Sequence, residues 1–256
     1  MSDRAASVLV EHRDTTAIVT LNRPGRRNAV DIELCERLHE RLREVAASDA
    51  RVVVLRGSGN DFCVGADLKG SADAGGEPNF DRLEPVYHAA TLLHEMPQIT
   101  IAAVDGGCAG AGMGWACACD FRFASQEAMF STAFLNVGVS GDMGLAWTLT
   151  RIVGAARARE LLFFPEKFGS EAAKDIGLVT RTFPRGALHE ETLALALALA
   201  ARNPLALRLH KANLVSAEKL HFRDYVDIES ARHLHSTTGL GNLIARASVR
   251  TGLEPK

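Results

Sequence analysis

Residues 104–120, VDGGCAGAGMGWACACD, decide the fold class. The run Ile99 to Val104 leads straight into them with no alternation of polar and apolar residues, as expected of a strand buried on both faces. The chain then turns almost entirely to glycine and alanine, and a helix is expected to start within the glycines. Small residues let a backbone approach a ligand closely, and the amides at a helix N-terminus favour negative charge. A junction of the same kind lies upstream, where the strand-like run Arg51 to Arg56 is followed by GNDFCVGADLKG, residues 59–70. Two backbone amides, one per junction, suffice to hold one oxygen as it gains charge. The glycines alone are equally compatible with tight helix–strand packing and a turn. Neither segment has the spacing of a dinucleotide fingerprint, a P-loop or a nucleophile elbow.

Outward from these junctions, residues 7–22 read as two short strands with a polar break at Arg13-Asp14. Asp31 is placed to cap a helix whose apolar stripe is Leu34, Leu38, Leu42 and Val45. Residues 71–79 read as a surface loop and 80–96 as one helix ending before Pro97. The chain after Pro184 has a helical pattern throughout, with Pro204 suited to a first helical position. Strands alternating with helices and then a helical tail give an α/β core, residues 1–185, and a C-terminal helical region, residues 186–256. Trp147, Phe163 and Phe164 are expected in the core.

The 256 residues are 47% apolar and 23% charged, a globular balance, and the net charge of −2 argues against a nucleic-acid or anionic-membrane surface. No apolar run reaches the roughly 18 residues of a membrane span, and the polar N-terminus lacks a signal-peptide pattern. The five cysteines, Cys35, Cys63, Cys108, Cys117 and Cys119, have no zinc spacing and fit reduced thiols in a cytoplasmic protein. No metal or redox cofactor is implied.

The ordered blocks LNRPGRRNA, FCVGADLKG, AAVDGGCAGAGMG followed by CDFRFAS, TRIVGAARARELL and AKDIGLVTRTFP resemble the crotonase (enoyl-CoA hydratase/isomerase) superfamily from about residue 8 to 184. The resemblance implies a spiral of ββα turns with a C-terminal helical region, assembled as a homotrimer or a dimer of trimers. It implies an acyl-CoA substrate, with coenzyme A entering as part of that substrate. The thioester carbonyl would lie between the amides of Ala66 and Ala111, beside Gly65, Gly110, Asp67 and Leu68. Arg26, Arg27 and Lys69 would face the CoA phosphates.

Carried across the same blocks, the two glutamates of family hydratases would fall at Gly114 and Phe134, and neither residue can move a proton. Asp142, in NVGVSGDMGLAW, is the acid offered nearby, with Ser140 as a neighbouring hydroxyl. Its bland role is to cap the following helix. As a catalyst beside Phe134 it is expected to have a pKa raised by burial. One carboxylate beside an enolate suits a 1,3-proton shift, so an isomerase-type reaction is expected. The alternatives are a hydratase with atypical acid and base, a dehalogenase-like aryl-CoA enzyme, and an inactive CoA-binding protein. His88, His94 and Tyr225 are weaker candidates. Asp67 and Asp120 are expected to anchor backbone.

Overall fold

A computed structural model describes residues 6–67 and 83–237. Leu68, Lys69 and the loop expected at 71–79 lie outside the described residues. The chain opens with β1 (Val8–Arg13) and β2 (Thr16–Leu21), an antiparallel pair that turns at Asp14 with φ 50°. Next, α1 (Ile32–Ala46) starts where Asp31 accepts the Leu34 amide at 2.8 Å, and it buries Leu34, Leu38, Leu42 and Val45. After β3 (Val52–Gly57), the helix expected over 80–96 is instead two, α2 (Leu83–Tyr87) and α3 (Ala89–Glu95), parted at His88. There follow β4 (Ile99–Val104), β5 (Gly107–Ala109), α4 (Ala111–Ala118), β6 (Phe121–Ser125) and β7 (Met129–Ser131). The first unit is completed by α5 (Leu145–Val153), α6 (Ala155–Phe163), β8 (Phe168–Gly169), α7 (Ser170–Asp175), β9 (Arg181–Phe183) and α8 (Leu188–Ala200).

Among the described residues, six strands form one sheet in the order β1-β2-β3-β4-β6-β9, parallel from β2 onward. Three more form a second sheet, β5-β7-β8. Isolated parallel bridges Cys63↔Cys108 and Val30↔Ala66 extend that second layer toward the start of the chain. Each pass of the chain thus lays a strand in the large sheet, then a short segment in the second layer, then a helix. This is the crotonase spiral. Because β3 and β4 are covered on both faces, Val52–Leu55 and Ile101–Val104 run apolar without alternation. All eight residues of α4 are buried, which explains a helix without a polar face.

Cα packing divides the chain into two compact units, residues 1–201 and 202–256. Helix α8 belongs to the first: it packs on β3, β4 and β6, and the Arg51 guanidinium donates to the Ala200 carbonyl at 3.0 Å. The division therefore falls one helix later than the residue 185 boundary drawn from the sequence. In the second unit, α9 (Pro204–Ala217) begins with Pro204 and is capped by Asn203, which accepts the Ala206 amide at 3.0 Å. Arg232, on α10 (Phe222–Thr237), donates to Asn213 and Ser216 of α9.

One expectation about the core is corrected. Trp147, Phe163 and Phe164 are 41%, 65% and 66% exposed. Helices α5 and α6 turn Leu145, Leu149 and Ala158 inward instead. The Trp147 ring carries the Arg151 guanidinium 3.6 Å from its centre. The five cysteines are buried and form no disulfide. Burial pushes the Cys35 and Cys63 thiols up to about 12 and Cys117 up to about 11, so they stay protonated and unreactive.

Candidate active site

The two glycine junctions meet. At the first, Cys63 pairs with β5: its amide donates to Gly107 at 3.0 Å and its carbonyl accepts from Ala109 at 2.9 Å. Gly65, at φ 88°, then turns the strand. As a result the Gly65 carbonyl accepts from Val30 and the Asp67 amide donates to Val30, both at 2.8 Å. Ala66 lies between these bonds, so its own N–H points away from Val30. At the second junction Gly110, at φ 51°, precedes α4 and Ala111 is the first helical residue. The first turn of a helix leaves its amides without intrahelical acceptors. Among the described residues neither the Ala66 nor the Ala111 amide has an acceptor.

Only glycine allows this approach. A Cβ on Gly65 would lie 3.1 Å from the Ala109 carbonyl oxygen and 3.7 Å from the Gly110 Cα. A Cβ on Gly112 would lie 2.5 Å from the Cys63 carbonyl oxygen.

Both junctions open into a cavity of about 640 Å³. Its walls are Val64, Phe134, Val137, Val139 and Met143, with Tyr87 from the end of α2 and Asp142 from the loop before α5. The Phe134 ring packs over Gly110 and Gly141. Asp142 does not cap α5. The cap position is Gly144, which has no capping side-chain bond. The Asp142 Oδ1 is buried and has no hydrogen-bond partner among the described residues. Desolvation raises its pKa to about 6. Met143 follows in the left-handed region, φ 51°, and is buried. Its Cβ stands 2.6 Å from where a Cβ on Gly114 would be, so the loop fills the space a side chain at 114 would need.

Asp67, Arg23 and Arg26 form the support behind Ala66. Arg23 bridges Asp31 at 2.7 Å and Asp67 at 3.3 Å, and it also donates to the Ala29 carbonyl. Arg26 is exposed and 3.7 Å from Asp67. Arg27 instead grips Asp61 with two bonds of 2.8 Å, which hold that carboxyl below its usual range. It lines a separate cavity of about 710 Å³ together with Asn60, Lys167 and Arg185. Ser140 is exposed and is not among the residues lining either cavity. His88 meets Thr91 at 3.2 Å and His94 sits edge-on to Trp147, so neither lines the cavity with Asp142. Tyr225 donates to Glu229 at 2.7 Å. Asp120 accepts from the Thr100 amide and hydroxyl, in keeping with an anchoring role.

The sequence reading did not single out Tyr87, Val64, Val137, Val139 or Met143. Tyr87 is one residue from His88, and the break between α2 and α3 decides which of the two faces the cavity. Only the bridge pattern and the tertiary loop path bring the others to the site.

Fold and cavity together define an enzyme of the crotonase superfamily. Residues 11–241 match the family described as Enoyl-CoA hydratase/isomerase, and the chain belongs to that family. It is 34% identical over 252 residues to the "Probable enoyl-CoA hydratase EchA12" of Mycobacterium tuberculosis, across 93% of this chain and 85% of that one. It is 31% identical over 232 residues to the human mitochondrial Delta(3,5)-Delta(2,4)-dienoyl-CoA isomerase, across 85% of this chain and 69% of that one. Among solved structures, an enoyl-CoA hydratase from Polaromonas sp. JS666 superposes with TM-score 0.87 at 29% identity, covering 97% of this chain and 98% of the other. A Thermobifida fusca YX chain solved in complex with CoA superposes with TM-score 0.85 at 27% identity, covering 93% and 95%. Among the described residues no single helix is long and apolar enough to cross a membrane.

Proposed function

We propose that the protein is an acyl-CoA enzyme that moves a proton along an enoyl thioester, with Asp142 as the base. The observation that carries this reading is that, among the described residues, Asp142 is the one carboxylate lining a cavity whose other lining side chains, Tyr87 apart, are apolar. The amides of Ala66 and Ala111 hold the thioester oxygen. Asp142 takes a proton from C2 of a 3-enoyl thioester, and the electron pair moves onto that oxygen as a dienolate. Protonation at C4 then gives the conjugated 2-enoyl product. Preorganised donors stabilise the developing charge without rearranging, and each is worth roughly 10²–10³ in rate. A partly buried carboxylate with a pKa of about 6 is ionised at neutral pH yet basic enough to accept a proton.

The CoA nucleotide runs past Arg26, whose loose pairing leaves its guanidinium available. Arg27 would first have to give up Asp61. We also propose that the chain assembles as a homotrimer or a dimer of trimers and works in the cytoplasm, where its cysteines, none in a disulfide, stay reduced.

The name of the human relative supports isomerisation, and that of the mycobacterial relative favours hydration as a second reading. Hydration needs water activated while the α-carbon is protonated, and position 114 has no room for a second carboxylate. The test is conversion of trans-3-hexenoyl-CoA to the conjugated thioester, followed by absorbance, beside hydration of crotonyl-CoA. Asp142→Asn is expected to lower kcat for isomerisation by roughly 10²–10⁴ while CoA still binds. Fast crotonyl-CoA hydration that survives Asp142→Asn would remove Asp142 from the mechanism.

A further inference from the structure

The cavity offers a second source of protons. Of the described residues that line it, only Asp142 and Tyr87 have side chains bearing an exchangeable proton; the rest are glycine, alanine, valine, phenylalanine and methionine. The two come from separate elements, one from the loop before α5 and one from the last residue of α2. The chain has two tyrosines. Tyr225 donates to Glu229 at 2.7 Å, whereas no described residue takes the Tyr87 hydroxyl. Tyr87 is 41% exposed, so its phenol can exchange with water, while one oxygen of Asp142 is sealed from it. The buried Met143, packed on Gly114, fixes the backbone next to Asp142. A carboxylate held in that way reaches one carbon of a bound acyl chain more readily than two.

We propose that the Tyr87 hydroxyl is a second catalytic group of this site, the donor that protonates the enolate at the carbon Asp142 does not serve. This rests on Asp142 being the base. The C2–H bond breaks to Asp142, and the electron pair passes to the thioester oxygen. The dienolate C4 then takes the phenol proton, forming a C–H bond and leaving a phenolate. The proton on Asp142 returns to the phenolate through water, so the enzyme ends as it began and no other reactant is consumed.

The experiment follows trans-3-hexenoyl-CoA isomerisation in D₂O by full-chain wild type, Tyr87→Phe and Asp142→Asn, with rates from absorbance and label position from NMR. Wild type is expected to place close to one solvent deuterium at C4 per turnover. Tyr87→Phe should lose at least tenfold in kcat with KM within twofold, and its product should carry hydrogen transferred from C2. Wild-type rate and label in Tyr87→Phe, or a lower rate with an unchanged label pattern, would overturn the proposal. If that happens while Asp142→Asn is inactive, the tyrosine fails alone. If Asp142→Asn keeps full turnover, the base assignment fails and the tyrosine proposal with it. Should wild type leave this thioester unchanged, exchange of the C4 hydrogens of trans-2-hexenoyl-CoA in D₂O is read on the same variants. A tenfold slower exchange in Tyr87→Phe supports the proposal, and absence of both reactions overturns it together with the base assignment.

Discussion

Asp142 is held where burial penalises its charged form, and this couples activity to pH and to stability in opposite senses. As a base it must be ionised, so kcat/KM should fall about tenfold per pH unit below about 6 and level off above it. Its folded pKa is raised above the ordinary carboxylate value. The native state therefore holds the proton more tightly than the unfolded chain, and stability declines as pH rises from about 4 to about 6. Above that window the full cost remains, up to about 3 kcal/mol and less after screening by nearby solvent. Asp142→Asn should consequently lower turnover yet raise the Tm by several degrees at pH 8, with the gain gone below about pH 4. Equal melting shifts at both pH values would mean that the carboxylate is not desolvated. The identity of this acid was legible from NVGVSGDMGLAW. Its freedom from a capping role was not, because capping depends on where the helix starts, and the helix starts after Gly144.

At the scale of elements, the site is a contact between loops that leave β3 and β4 and the loop that precedes α5. Gly114 sits on a helix whose every face is buried, with Met143 pressed against it. Gly114→Glu should therefore fail to create a hydratase. It should instead destabilise the fold, by roughly 1–3 kcal/mol for the displaced packing and more for the buried charge. A thermal melt and a crotonyl-CoA assay check both halves. Adding Met143→Gly, which removes the Cβ in the way and suits the left-handed backbone there, should restore part of the lost stability. Stability untouched by Gly114→Glu alone would show that the loop does not rest on α4. Helix α1 was legible to within a residue, since stripe and cap agree. The break at His88 was not, because the apolar residues of 80–96 suit either one helix or two.

At the scale of the whole molecule, α5 and α6 leave Trp147, Phe163 and Phe164 facing outward. Large aromatic side chains are enriched where proteins associate. Light scattering on the purified chain is expected to give three or six times the monomer mass. A Phe163→Glu, Phe164→Glu double variant should lower that number if the aromatic pair lies in the interface. A monomer in the wild type would refute the assembly outright.

By itself, the sequence determined the buried parallel strands, the two glycine junctions, the helical tail and the acid at 142. Each is a local matter of period, residue size or cap chemistry, and the ordered blocks carry the family. The tertiary structure alone decided that the second-layer segments of the spiral bridge to one another. The spiral repeats in hydrogen bonding and not in residues, so no repeat shows in the sequence. It alone decided that Gly65 leaves the Ala66 amide facing away from Val30, that Met143 closes position 114, and that Tyr87 and not His88 lines the cavity. These depend on which backbone group meets which across tens of residues, and no local pattern encodes that.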